Sequence, residues 1–434
     1  MMKSRFAKLV PYMILPIAIF SIQQYISLPI GNTTVWWLVH FLILFIFFWE
    51  ARYSQVSRED SKSLQFVKIY LLWNVFNILR GVFVAEGYWD YKGLISMGMT
   101  LLLPVIAYLS VNKERVQDIL SFFVNYVIPF GFLLFPFMPI GAWGWYLFPI
   151  GFLMLFFPVL PMKGKIIVLV VSLIAIFGDL GARSGVIKYG IPIVLVAGFY
   201  GIRHLVWGQK LMGYTRKLLV IAPFVFFILA VTDVFEVFKM DQYIKGNYVE
   251  VKKDSSGEVV EENLTADTRS FLYMEVIESA RKYNYWLLGR TPARGNETIH
   301  FAGEMVRNTG RAERLRNEVG ILNVFTWTGI VGVVLFFLVF NKASYMAIHK
   351  SKNTFVKLVG LFVAFRWVYA WVEDCNIFDI NNFVIWMMIG ICLSPSFRKM
   401  SDAELKLWVW GIFERKHYKK YRLFLRHDKY ELIL

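Results

Sequence analysis

Runs of about 20 apolar residues, separated by short polar breaks, recur along almost the whole chain and predict an all-α polytopic membrane protein. The expected spans lie near 9–28, 35–49, 64–84, 92–110, 117–138, 143–160, 165–177, 185–202, 217–232, 319–340, 354–372 and 377–394, about twelve in all. The run 165–177 is short for a full crossing and is expected to extend or tilt. The first run, Leu9 to Leu28, lacks a small-residue cleavage site and reads as an uncleaved helix. A single long polar stretch, Asp233 to Glu318, interrupts the pattern. It divides the chain into helices 1–9 within 1–232, a large loop over 233–318, helices 10–12 within 319–394 and a basic tail over 395–434.

The placement of lysine and arginine tests that count independently. With the N-terminus inside, the inner ends carry Lys3, Arg5, Lys8, Arg52, Arg58, Lys62, Lys113, Arg115, Lys163, Lys165, Arg203, Lys210, Arg216, Lys217, Lys342, Lys350 and Lys352. The short outer loops carry only Lys92 and Arg183. The asymmetry holds on both sides of the short run 165–177, so both termini are expected in the cytoplasm and the large loop outside. The net charge of +16 is then read as orientation plus attraction to anionic membrane lipid, not as a nucleic-acid site. In the tail, Arg415-Lys416-His417-Tyr418-Lys419-Lys420 beside Trp408, Trp410 and Phe413 suits an interfacial helix. Cys375 and Cys392 fall near opposite ends of one expected helix, too far apart to pair. No metal-ligand spacing such as CxxC or HExxH occurs, so neither a metal nor a cofactor is expected.

The large loop changes character along its length. Its first half is acidic, with a turn at Lys252 to Gly257 between two stretches that suit a small hairpin. From Thr268 the apolar spacing becomes helical, stopping at Gly289, and a second helical stretch is expected from near Glu297 into the tenth span. A helix over 307–318 would stack Arg307, Arg311, Arg314 and Glu318 on one face, where like charges repel. Two readings stand: Glu304, Glu313 and Glu318 neutralise the arginines internally, or a polyanionic ligand completes the site, since guanidinium forks match phosphate oxygens. Six acids against nine bases between Arg269 and Glu318 favour the second.

Other charged positions converge on the same side. Arg80 and Arg366, in the outer thirds of the third and eleventh spans, either line an interior cavity or snorkel to the headgroups. Asp179 and Arg183 sit in an outer turn, and Glu373, Asp374 and Asp379 flank the ends of the last two helices. His40, inside the second span, suits a polar contact between helices.

Three short motifs resemble the O-antigen polymerase and O-antigen ligase superfamily: Arg183-Ser184-Gly185 opening a span, Thr268-Arg269 followed by an amphipathic helix and Trp286-Leu287-Leu288-Gly289, and Trp327-Thr328-Gly329-Ile330-Val331-Gly332. Where the ligase branch carries histidine and asparagine, this chain has Glu318-Val319, which leans towards a Wzy-type polymerase. The resemblance implies a metal-independent GT-C-like glycosyltransferase of the bacterial inner membrane. It would polymerise undecaprenyl-pyrophosphate-linked repeat units into surface polysaccharide on the periplasmic face, with a flippase and a chain-length regulator as partners. On that expectation Arg183, Arg269, Arg311 and Arg314 bind pyrophosphate, with Arg290 and Arg294 on a mobile loop and Arg80, Arg307 and Arg366 contributing. Glu318 is the expected general base, with Asp179 and Asp374 as rivals. The alternatives are a glycan ligase, which differs in acceptor, and a transporter of lipid-linked glycan or anion, which requires discontinuous helices and internal repeats.

Overall fold

The computed structural model describes residues 6–28, 30–53, 57–178, 183–204, 207–232, 234–236, 238–239, 249–253, 259–263 and 269–414. Its principal helices are α1 (Ile14–Ile22), α2 (Thr33–Tyr53), α3 (Gln65–Val84), α4 (Tyr88–Leu101), α5 (Lys113–Phe122), α6 (Met162–Phe177), α7 (Arg183–Ile202) and α8 (Gly208–Val231). After the large loop come α9 (Ser270–Tyr283), α10 (Ala302–Thr309), α11 (Gly320–Lys350), α12 (Thr354–Tyr369), α13 (Ile380–Leu393) and α14 (Asp402–Phe413). Among the described residues, seven helical segments are long and apolar enough to cross a membrane, and shorter apolar helices accompany them. The chain is therefore a membrane-embedded helical protein.

Several expected spans appear in altered form. The run 143–160 is not one helix, because Pro149 and Pro158 cut it into Trp143–Tyr146, Phe148–Met154 and a 3-10 turn at Phe157–Val159. The pieces stay buried: Phe148, Ile150, Phe152 and Leu153 are all enclosed. The short run gains three residues at its start and becomes α6, which Pro161 precedes. Every residue of α13 is buried, so it forms the axis of the bundle, with α11, α12 and the helix Ile106–Leu109 around it. Trp386 on α13 meets Tyr70 of α3 and Phe336 and Phe340 of α11 at ring separations of 5.9 to 6.4 Å.

Helix α11 is broken. Gly329 has φ 68° and ψ −173°, a conformation open essentially to glycine alone, and it divides a short N-terminal piece from the long apolar piece beyond it. Backbone groups freed at such a break must find partners where water is absent. They do: Arg290 N–H donates to Thr326 O at 2.6 Å, Thr291 N–H to Trp327 O at 3.2 Å, and the Trp73 indole to Thr328 O at 2.9 Å. Ile330 N–H in turn donates to Trp286 O at 2.8 Å. The two stretches Trp286–Gly289 and Trp327–Gly332 thus meet as one backbone junction.

The large loop forms a cap over this junction. β1 (Val249–Lys253) and β2 (Val259–Asn263) pair antiparallel, as the hairpin reading expects. Beyond them α9 is fixed by the buried carboxylate of Glu275, which accepts from Ile299 N–H and His300 N–H at 2.7 and 2.9 Å. The expected helix over 307–318 does not form. Gly310 takes φ 77° and ends α10, and the chain then extends so that β4 (Glu313–Arg314) pairs with β3 (Asn296–Glu297). Asparagines hold the return to the bundle: Asn317 donates to Asn296 Oδ1 at 2.9 Å, and Asn323 Oδ1 accepts from Asn317 N–H at 2.6 Å.

On the opposite face, α14 is not the interfacial helix expected. Trp408 is fully buried and donates to Lys113 O at 2.9 Å, Trp410 donates to Val159 O at 2.7 Å, and Gly411 lies so close to Gln117 that a Cβ would meet its amide at 2.3 Å. The aromatic residues bind this helix into the bundle. The basic run 415–420 lies outside the described residues.

Candidate functional site

The cap face gathers most of the charged residues that the sequence singles out, but it pairs them. Arg290 and Arg294 both bond Glu313, at 3.2 and 2.5 Å. Arg294 also approaches Glu86 at 3.9 Å, and Arg311 bonds Glu86 at 2.7 Å and Asp90 at 3.1 Å. Three arginines and three carboxylates form one continuous network between the cap and the turn that joins α3 to α4. Burial opposes ionisation of Glu313, but the Arg294 hydrogen bond and the charges of Arg290 and Arg294 outweigh it and hold the carboxyl below its usual value. A second pair, Arg314 with Glu318 at 3.2 Å, and a third, Arg316 with Asp374 at 3.3 Å, lie nearer the bundle.

This arrangement corrects the single-face picture. Arg307 is exposed on α10 and bonds only the Gly303 carbonyl among the described residues, whereas Arg311 and Arg314 lie beyond the helix end in other surroundings. Arg290 and Arg294 are not on a loose loop either. Thr291 and Ala293 between them are fully buried, and the turn is bonded to the break in α11. The internal neutralisation weighed from sequence is present, but its acids include Glu86 and Asp90, which lie more than 200 positions away from Arg311.

Arg80 and Arg366 have no carboxylate partner among the described residues. Arg80 reaches from α3 to donate to Leu288 O at 2.8 Å and Gly289 O at 3.1 Å, clamping the cap junction to the bundle. Arg366 is 1% exposed, which excludes snorkelling. It donates to Asn381 Oδ1 at 3.2 Å, faces the rings of Phe148 and Tyr369, and leaves Nε and Nη1 without hydrogen-bond partners among the described residues. Arg269 stands at the N-cap of α9 without a capping side chain, while Asp179 and the Arg183 side chain lie outside the described residues.

A cavity of about 220 Å³ opens beneath the cap between α1, α2 and α4. Trp36, Trp37 and Phe378 give it aromatic walls; Gln23, Ser96 and Thr100 add hydroxyl and amide groups; Arg316 closes one side. His40 borders it, buried, stacked on Phe378 at 4.0 Å, with Nε2 unpartnered among the described residues. Asp374 stands one side chain behind this wall, bonded by Asn376 N–H at 2.8 Å and by Arg316. Burial pushes its carboxyl above the usual range, against the charge of Arg316. Glu318, by contrast, is 59% exposed and tied to Arg314.

Lys188 was not among the sequence candidates, although a lone lysine inside the apolar run 185–202 carries the same signal as Arg80 and Arg366. It is 3% exposed, bonds Glu373 at 2.6 Å and lies over the Trp145 ring at 4.1 Å. Fold and site together define a helical membrane protein with an aromatic-walled cavity that Arg316 of the cap borders. No family model matches the chain, and no curated protein matches it either.

Proposed function

We propose that the protein is an integral-membrane glycosyltransferase that polymerises undecaprenyl-pyrophosphate-linked repeat units into surface polysaccharide. The reading includes the twelve-span layout with both termini in the cytoplasm, a bacterial inner membrane and a periplasmic cap. One observation carries it: Arg316, ion-paired to Asp374, lines a cavity with aromatic walls and hydroxyl-bearing side chains, surroundings that suit a sugar linked to pyrophosphate. The meeting of the Trp286–Gly289 and Trp327–Gly332 stretches supports it further, since both belong to the resemblance.

In this mechanism the acceptor hydroxyl attacks the anomeric carbon of the donor glycan. The new C–O bond forms as the bond to pyrophosphate breaks, and the leaving group takes the electron pair. Arginines stabilise that developing charge. Asp374 is preferred over Glu318 as the group that accepts the hydroxyl proton, because burial raises its proton affinity above that of an ordinary carboxylate. Arg316 links it to the cavity, so a phosphate that engages Arg316 frees the Asp374 carboxylate.

The test is elongation of purified lipid-linked repeat units in proteoliposomes, read as a ladder of products. Asp374→Asn is expected to lower the rate by about 100-fold or more, the usual contribution of a general base. Arg311→Ala is expected to weaken elongation as well. Native rates in both variants would remove these residues from the site. The break in α11 favours the transporter reading, which requires discontinuous helices. Its freed carbonyls, however, are bonded by Arg290, Thr291 and Trp73 and so do not present an ion-binding surface. Vectorial uptake into sealed vesicles without elongation would restore the transporter.

A further inference from the structure

A second cavity, of about 480 Å³, lies on the face opposite the cap, where α8 meets the end of α11 and the start of α12. Lys210 and Lys217 from α8 and Lys357 from α12 line it, with His349 and Tyr214. Residues 210, 213, 214 and 217 follow helical spacing, so α8 offers one continuous basic face. Gly213 keeps that face close to the floor: a Cβ there would touch His349 Cε1 at 3.4 Å.

The charge balance is one-sided. No carboxylate lines the cavity, and none of the three lysines has an ion-pair partner among the described residues. Lys357 finds only the neutral Gln209 amide, at 3.2 Å. Asp402, the carboxylate that acts on Lys357, is engaged by the Thr354 backbone N–H and hydroxyl at 2.8 and 3.2 Å. Arg216, Lys217, Lys350 and Lys357 all bear on the His349 ring. The contrast with the cap face, where each arginine cluster has its acids, is direct.

A phosphate group would answer this charge, and the surroundings identify its source. Leu218, Ile221, Val225 and Ile228 leave the cavity along α8 as an exposed apolar strip. Trp207, at the N-terminal end of α8, is half exposed at the same level, the position of an aromatic residue at a headgroup boundary. We propose that this cavity binds the phosphate of an anionic phospholipid, with its acyl chains laid along α8.

The test uses the full-length protein in mild detergent, titrated with dioleoyl phosphatidylglycerol or dioleoyl phosphatidylcholine and read by native mass spectrometry and by melting temperature. Phosphatidylglycerol is expected to bind and to raise the melting temperature, and phosphatidylcholine to do neither. Changing Lys210, Lys217 and Lys357 together to glutamine is expected to weaken phosphatidylglycerol binding on the order of 100-fold. A control with Lys163→Gln and Lys165→Gln, at the start of α6, removes charge elsewhere and is expected to leave binding unchanged. Equal loss in the control, or full binding in the triple variant, would overturn the site. Inorganic phosphate that reproduces the thermal shift and competes with the lipid would overturn the lipid assignment in favour of a soluble phosphate compound.

Discussion

Gly329→Ala tests whether the junction between cap and bundle holds the cap face together. Gly329 lies in a backbone region that costs roughly 1 to 3 kcal/mol for a residue with a side chain. The added methyl would stand 2.1 Å from Leu287 O and 2.6 Å from Gly289 N, both backbone atoms that cannot rotate away. Forcing them apart adds roughly 1 to 3 kcal/mol of overpacking and threatens the hydrogen bonds that Arg290 and Ile330 make across the same junction. A total of about 2 to 6 kcal/mol is expected. Gly289→Ala should act in the same direction, because its φ is also positive and its Cβ would meet Thr328 N at 2.5 Å. Gly198→Ala is the control, since nothing lies within 4 Å of its Cβ and alanine is the better helix former by about 0.5 to 1 kcal/mol. Thermal unfolding in detergent, followed by the fraction remaining monodisperse, should fall by several degrees for the first two and hold or rise for the third. Native melting temperatures in Gly329→Ala and Gly289→Ala would refute the junction.

Arg80→Ala removes the donors that hold Leu288 O and Gly289 O, so tryptic cleavage within the cap should accelerate while the bundle stays intact; unchanged cleavage would mean that the clamp holds nothing. Glu313 is held below its usual carboxyl value of 4.5, so the stability it contributes is present above that pH and is lost as pH falls through its lowered value; Glu313→Gln should flatten the acid limb of a melting-temperature profile. Asp379 caps α13 by accepting from Asn382 N–H at 2.8 Å, so Asp379→Ala should cost about 1 kcal/mol of stability and lower the melting temperature, whereas Asp379→Asn, which keeps a capping oxygen, should not; equal melting temperatures in the two variants would remove the cap.

The bundle was legible because apolar runs of span length have few other uses, and α2, α3, α8 and α11 begin or end within a few residues of the expected helices at most of their ends. Legibility failed where one residue overrides a run. Proline cuts 143–160, and Gly329 bends a stretch that hydropathy reads as continuous. The cap was harder. Arginine spacing over 307–318 fits a helix, yet Gly310 ends α10 and the strand pairing of Glu313 with Glu297 decides where Arg311 and Arg314 point. Nothing near Arg311 in the chain announces that Glu86 and Asp90 will meet it, because that contact depends on how the turn after α3 packs against the cap. Arg366 shows the opposite case: a charge deep in an apolar run announces an interior position, and the structure buries it. The same rule applied to Lys188 would have found it.

The paired arginines also constrain how any anion reaches them. An incoming phosphate must compete with Glu313 for Arg290 and Arg294, and with Glu86 and Asp90 for Arg311. Displacing a half-buried carboxylate from its arginine leaves a charge that needs water or a proton. Glu86 has its side chain 68% exposed and can turn to solvent at little cost, whereas Glu313, 13% exposed, cannot. Arg311 is therefore the most accessible of the three to a ligand, while Arg290 and Arg294 act mainly as the frame that holds the cap turn. Arg316 offers a second entry, since it already faces the cavity and its partner Asp374 is pushed towards accepting a proton. Ligand binding at these two arginines would replace the Arg311 pairs with Glu86 and Asp90 and the Arg316 pair with Asp374, which leaves Asp374 as an available base for the chemistry proposed beneath the cap.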